Sequence, residues 1–186
     1  RDDPRAMKGD SPTASPAVSV RDLAFGWEGA DSARVFSGVS FDIQAGEHVA
    51  IIGPNGAGKS TALRCVAGLL KPVAGSVRLH GVDTGTLSRR ELARRIAFLP
   101  QSQGLESSMT VRELVMTGRY PYFTLFEPAS SADYRAVAAA LALTGTTAFA
   151  DRRFDELSGG ERQRVLLAAA IAQEAPVLLL DEPFTF

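Results

Sequence analysis

Val18, Val20, Leu23 and Phe25 open an alternating apolar pattern, and Val39, Phe41 and Ile43 alternate cleanly with Ser40 and Asp42. Period two predicts half-buried strands. Val49-Ala50-Ile51-Ile52 is a short continuous apolar run that ends at a glycine-rich turn. That pattern predicts a strand buried on both faces. Lys59 to Leu70 reads as a helix that Pro72 ends, and Ser76 to His80 as a further strand. Ser88-Arg89-Arg90-Glu91 and Thr110-Val111-Arg112-Glu113 have the spacing of capping boxes and open two short helices. Between them Ile96 to Leu99 predicts a strand that stops at Pro100. Ser130 to Leu143 is an alanine-rich helix, Glu161 to Glu174 another, and Val177 to Leu180 a buried strand. The expected order is a strand-rich first third, a helical middle and a return to a buried strand, with no internal repeat.

Residues 1–16 hold three prolines with Asp, Ser, Thr and Gly and little to bury, so they are expected to be a disordered lead-in. The remainder has a globular balance, 45% hydrophobic and 22% charged. A lone cysteine, Cys65, excludes an internal disulfide framework and a multi-cysteine zinc site. It lies among apolar neighbours and reads as core packing. Lys and Arg number 20 against 21 Asp and Glu, so net charge gives no reason to expect nucleic acid. Arg89, Arg90, Arg94 and Arg95 make one helix basic, and a solvated face is the favoured reading. No run is long and apolar enough to span a bilayer, and no secretory signal opens the chain. A soluble cytoplasmic protein is expected.

Gly53-Pro54-Asn55-Gly56-Ala57-Gly58-Lys59-Ser60 fits G-x-x-x-x-G-K-[ST], the Walker A pattern. Glycines let the backbone turn its N–H groups towards phosphate oxygens, and the next helix start adds partial positive charge. Lys59 supplies a point charge for the β- and γ-phosphates, and Ser60 a hydroxyl for Mg²⁺. The alternative is an ordinary glycine turn, but a predicted strand precedes this one and a helix follows it.

Val177 to Leu180 runs into Asp181 and Glu182. So apolar a strand is expected at the centre of a sheet, with its end at the edge where ligands bind. Asp181 is suited to hold Mg²⁺, and Glu182 to orient a water in line with the γ-phosphate. An acidic surface turn is the plainer alternative. Leu157-Ser158-Gly159-Gly160-Glu161-Arg162-Gln163 opens the last helix. Ser158 and Glu161 make a capping box, yet a box does not need two glycines. Two consecutive glycines there leave a helix N-terminus open to an anion. One domain can hardly aim two such helix starts at one phosphate, so two chains facing each other are the economical arrangement.

These three segments resemble the nucleotide-binding subunits of ATP-binding cassette (ABC) transporters, and the resemblance runs from about Val18 to the last residue. Leu157 to Gln163 resembles the signature motif, with Glu161 where Gln is common. Asp181-Glu182-Pro183 resembles the Walker B ending, and Gln101 the Q-loop glutamine, which contacts Mg²⁺. Trp27 stands where the family stacks an aromatic on adenine; a core aromatic is the alternative. The resemblance implies an α/β fold. Its parts are a P-loop NTPase core with a mixed sheet, an N-terminal antiparallel β subdomain, and an inserted helical subdomain at about 103–160. Residues 17–186 would form one ATPase domain, incomplete at its C-terminus, with the D-loop and switch histidine still to come. The resemblance also implies a homodimer or paired cassette holding ATP and Mg²⁺. Lys59, Gln101 and Glu182 would be catalytic. Trp27, Gly53, Asn55, Gly56, Gly58, Lys59, Ser60 and Thr61 would bind one nucleotide. Ser158, Gly159 and Gly160 would bind the partner's, and Ser60, Gln101 and Asp181 would hold the metal.

Arg94 to Gln101, Ser108 to Val115 and Gly118-Arg119-Tyr120-Pro121-Tyr122 are similar to importers of iron chelates, haem or cobalamin. The resemblance implies integral-membrane permease partners, an extracellular or periplasmic binding protein acting indirectly, no nucleic acid, and a peripheral place on the cytoplasmic face of the membrane. Tyr120, Tyr122, Phe123 and Phe126 are candidates for the permease contact, or else pack within the helical part. A non-transport cassette is the competing reading, but the interval from Lys59 to Ser158 has no heptads for a coiled coil. A nucleotide-binding fragment with weak hydrolysis is the other. His48 and His80 read as structural and exposed.

Overall fold

The computed structural model describes residues 15–27, 34–101, 107–124 and 129–182. Most of the expected lead-in, Phe126 and Pro183 lie outside them.

Four strands form an antiparallel sheet in the order β2-β1-β3-β4: β1 Val18–Gly26, β2 Arg34–Ile43, β3 Ala74–Leu79 and β4 Val82–Asp83. Val18 pairs with Ile43 on one side and with Leu79 on the other. The apolar spacing in β1 skips from Val20 to Leu23, where the ladder to β2 slips and Asp22 takes φ 47°. This bulge absorbs the extra residue, so Val18, Val20, Leu23 and Phe25 all stay on the core side. The Ser40 hydroxyl accepts the Asp22 backbone N–H at 2.8 Å and steadies the bulge.

Helix α1, Lys59–Val66, packs Cys65 and Val66 into the cluster under this sheet. Burial pushes the Cys65 thiol up to about 11. Helix α2, Arg89–Ala93, leads into β5, Ile96–Leu99, which pairs in parallel with β6, Val177–Leu180. Helices α3 Val111–Met116, α4 Ser131–Leu143 and α5 Gly159–Ala172 enclose a second apolar cluster running from Val111 to Ala172.

Two expectations need correction. Val49–Ile52 is not a strand, and it is not buried: Ile52 is 91% and Val49 58% exposed. An apolar run becomes a strand only where another backbone edge bonds to it, and none among the described residues does. For the same reason β6 is not central. Among the described residues it bonds only β5, and Leu178 is exposed. The smaller shifts are at the ends. The helix from Lys59 stops at Val66, and His80 lies in a turn at φ 49°. His48 is exposed outside any strand.

Candidate functional site

The loop after Ile52 turns at Gly56 and Gly58, which take φ 80° and 88°. Gly58 has a second reason to be glycine, because a Cβ there would lie 2.7 Å from Val35 Cγ1. The turn delivers Lys59 and Ser60 at the first positions of α1. The Lys59 ammonium donates to the carbonyls of Gly53 and Pro54 at 2.9 and 3.0 Å. The loop's own carbonyls thus hold the charge over the loop.

Strand β6 brings Asp181 to the same place. The Ser60 hydroxyl donates to Asp181 Oδ1 at 2.7 Å, across 121 positions of sequence. Asp181 is 2% exposed, and its second oxygen, Oδ2, is buried without a hydrogen-bond partner among the described residues. A buried carboxylate oxygen with no donor is costly. An oxygen-seeking cation beside Ser60 would satisfy it, so the donor set fits Mg²⁺. Among the described residues no group of three or more His, Cys, Asp or Glu is placed to hold a metal. Such an ion would take its other ligands from phosphate and water.

Gln101, just past β5, donates its side-chain amide to Glu182 Oε2 at 2.8 Å. Glu182 sits at φ 46°, a left-handed conformation that is strained for a residue with a Cβ. Glu182 lines the same cavity as residues of the loop. This cavity, of about 470 Å³, is lined by Trp27, Asn55, Gly56, Gly58, Lys59, Ser60, Thr61, Gln101 and Glu182. Trp27 is exposed and stands edge-on to Phe25, with ring centroids 5.1 Å apart. It is therefore not a core aromatic. Val35 of β2 also lines the cavity. Sequence reasoning missed it, because nothing distinguishes it from any half-buried strand valine.

Ser158, Gly159 and Gly160 do not line this cavity. They open α5 and are exposed, and a Cβ on either glycine would meet nothing within 4 Å. The capping box is real: the Ser158 hydroxyl accepts from the Glu161 N–H, and the Glu161 carboxylate takes the Ser158 N–H and hydroxyl. These bonds, the hydroxyl first, hold the Glu161 carboxyl below the ordinary carboxylate range. The two glycines between the boxed residues are both exposed.

Comparison with known proteins agrees with this geometry. The ABC transporter family matches residues 36–185. The cobalamin import ATP-binding protein BtuD of Halobacterium salinarum is 49% identical over 150 residues, 81% of this chain and 37% of that protein. The achromobactin transport ATP-binding protein CbrD of Dickeya dadantii is 42% identical over 170 residues, 91% of this chain and 62% of that one. The chain thus spans less than two thirds of either relative. A dimeric ATP-binding cassette in a post-hydrolysis state, bound to ADP and Pi, superposes with a TM-score of 0.76 at 30% identity, covering 89% of this chain and 74% of that one. With its phosphate loop, acidic strand end and open glycine helix start in one α/β fold, the chain belongs to the ABC transporter family of ATP-binding cassettes.

Proposed function

We propose that this chain is the ATP-binding part of an importer, and that the whole protein hydrolyses ATP with Mg²⁺ to drive uptake of an iron chelate, haem or cobalamin. The observation that carries the reading is the joined pair of ends: Ser60 bonded to a buried Asp181 that keeps one oxygen free, beside Gln101 bonded to Glu182. Lys59 exchanges the carbonyls of Gly53 and Pro54 for phosphate oxygens. Gly53, Asn55, Gly56, Gly58 and Thr61 enclose the phosphates with backbone and hydroxyl donors, and Trp27 offers its face to the base. Ser60, Asp181 and Gln101 would hold Mg²⁺, which would supply charge neutralisation at the phosphates. Glu182 accepts a hydrogen bond from the attacking water and takes its proton.

Ser158, Gly159 and Gly160 complete the site of a second, facing cassette, since they lie outside this chain's own cavity. A single ATPase domain over 17–186, with its helical part at about 103–160, would present Tyr120 to a membrane permease. The names of the relatives support an import role and a substrate among metal chelates or cobalamin. Among the described residues no helix is long and apolar enough to cross a membrane. A peripheral position on the cytoplasmic face, held by the permease, is the consistent arrangement.

The test uses the full-length protein with its permease. Glu182→Gln should bind ATP with unchanged affinity while hydrolysis falls by about 10²-fold or more. Hydrolysis by that variant at the unmodified rate would remove Glu182 from the chemistry.

A further inference from the structure

The segment Thr117–Tyr122 is a 3₁₀ turn that buries an arginine. Arg119 is 5% exposed, and its guanidinium has four polar or aromatic partners. Nε donates to Asp133 at 2.9 Å, and Nη1 to the Ala172 carbonyl and to Glu174, both at 2.7 Å. Its Cζ lies 4.1 Å from the centre of the Tyr122 ring. The Tyr122 hydroxyl in turn donates to the Gln173 carbonyl at 2.9 Å. Gly118 meets the same helix end, where a Cβ would stand 2.2 Å from the Ala169 carbonyl oxygen. Three residues of one short segment therefore grip the last turn of α5.

The other side of the segment is held as firmly. Arg90 of α2 and Arg94, which caps its C-terminus, donate through Nε to the Pro121 carbonyl at 2.8 and 2.9 Å, and Arg90 also reaches the Phe123 carbonyl. Gln173 closes the circuit, donating to the carbonyls of Ala93 and Ile96. Helix α5 begins at Ser158-Gly159-Gly160, and β5 ends one residue before Pro100-Gln101. The segment is thus bonded to the end of α5 and to Arg90 and Arg94, while Gln173 ties that same helix end to the start of β5, the strand that leads to Gln101. Within residues 118–123 Tyr120 alone is exposed, at 58%, with its ring centroid 5.5 Å from that of Phe123.

Glu174 adds a side-chain bond where the helix ends. It sits at φ 51°, where glycine is the unstrained choice for a helix C-terminus. Its side chain is mostly exposed except for the bond to Arg119. A glutamate held in a strained conformation, for one bond at a site where glycine would stop the helix, is there for that bond.

We propose that Arg119, with Tyr122 and Glu174, is a positioning residue that locks the outward-facing Gly118–Phe123 segment to α5 and α2, so that a force on Tyr120 moves the Ser158–Gly160 helix start and Gln101 as one body. The inference rests on the reading of the chain as an importer ATPase, in which a permease supplies that force. Arg119 does not line the cavity at the phosphate loop, so its effect is on coupling rather than on chemistry.

The test uses the full-length protein assembled with its permease, carrying Glu174→Gly or Tyr122→Phe. Each removes one tie at a half-buried or exposed position and leaves the Asp133 ion pair intact. The expected result is unchanged ATP affinity, unchanged basal hydrolysis without permease, and stimulation by permease reduced about fivefold or more. Glu174→Gln, which keeps an acceptor for Arg119, should recover part of the stimulation. Full stimulation in both tie-breaking variants would overturn the proposal. So would a parallel loss of basal hydrolysis and stimulation, which is what a merely structural tie predicts. If the unmodified complex itself shows no ATPase stimulated by permease, the importer reading fails instead.

Discussion

Gly118 and Lys59 show two kinds of residue constraint. Lys59 belongs to a set whose types, on the proposed function, are restricted by chemistry: an ammonium, a hydroxyl and glycine turns are groups that suit phosphate and a hard cation. Such residues are recognisable as a string, and the structure brings Trp27, the phosphate loop, Gln101 and Glu182 to one cavity. Gly118 is constrained by a neighbour 51 positions away, the carbonyl of Ala169, and no local pattern announces it. Gly118→Ala should lower stability by about 1–3 kcal/mol, because backbone rather than a flexible side chain must give way. A lower urea midpoint at unchanged slope checks this; an unchanged midpoint would mean that the two backbones separate freely. Arg119 was equally illegible. A buried arginine depends on Asp133, Ala172 and Glu174, which converge only in the fold.

Helix ends were the most readable elements. Ser88, Thr110 and Ser158 each form the box that their spacing predicts. Ser130 forms a fourth with Asp133, which escapes a template written for Glu or Gln. In all four the acid at the third helical position is held below its ordinary range. The cause is chiefly the cap hydroxyl for Glu91, Asp133 and Glu161, and first the Thr110 backbone N–H for Glu113. A carboxyl lowered by folding adds stability above its unfolded value and loses it as pH falls through the folded one. The four caps should therefore contribute fully above the ordinary carboxylate range and weaken only as the pH falls below it. An acid titration of the far-ultraviolet helical signal tests this, and a signal flat to about pH 2 would contradict it. Strands were read less well. Their apolar runs report what a side chain prefers, whereas a ladder also needs a partner edge, which Val49–Ile52 lacks among the described residues.

At the scale of the molecule, two apolar clusters divide the chain, one under the antiparallel sheet and one among the helices. The alternation of strands and helices was legible, and so was the chain order of the motifs. The sheet order β2-β1-β3-β4 was not, because period two says which face is buried and nothing about which strand lies beside which. The seam between the clusters was also hidden. It is built from arginine-to-carbonyl bonds that leave no hydrophobic trace.

The burial of Cys65 also makes the chain its own stopwatch. It is the single thiol of the sequence, 2% exposed on the helix that starts at Lys59, with its proton held to about pH 11. A thiol reagent can reach it only when that helix lifts, so the labelling rate counts openings of the phosphate loop's own support. At about pH 8 native protein should label far more slowly than protein in about 6 M guanidinium. Nucleotide bound to the closed form should slow it further, by about tenfold for each 1.4 kcal/mol of linkage. Equal rates in native and denatured protein would show that the helix does not stay down.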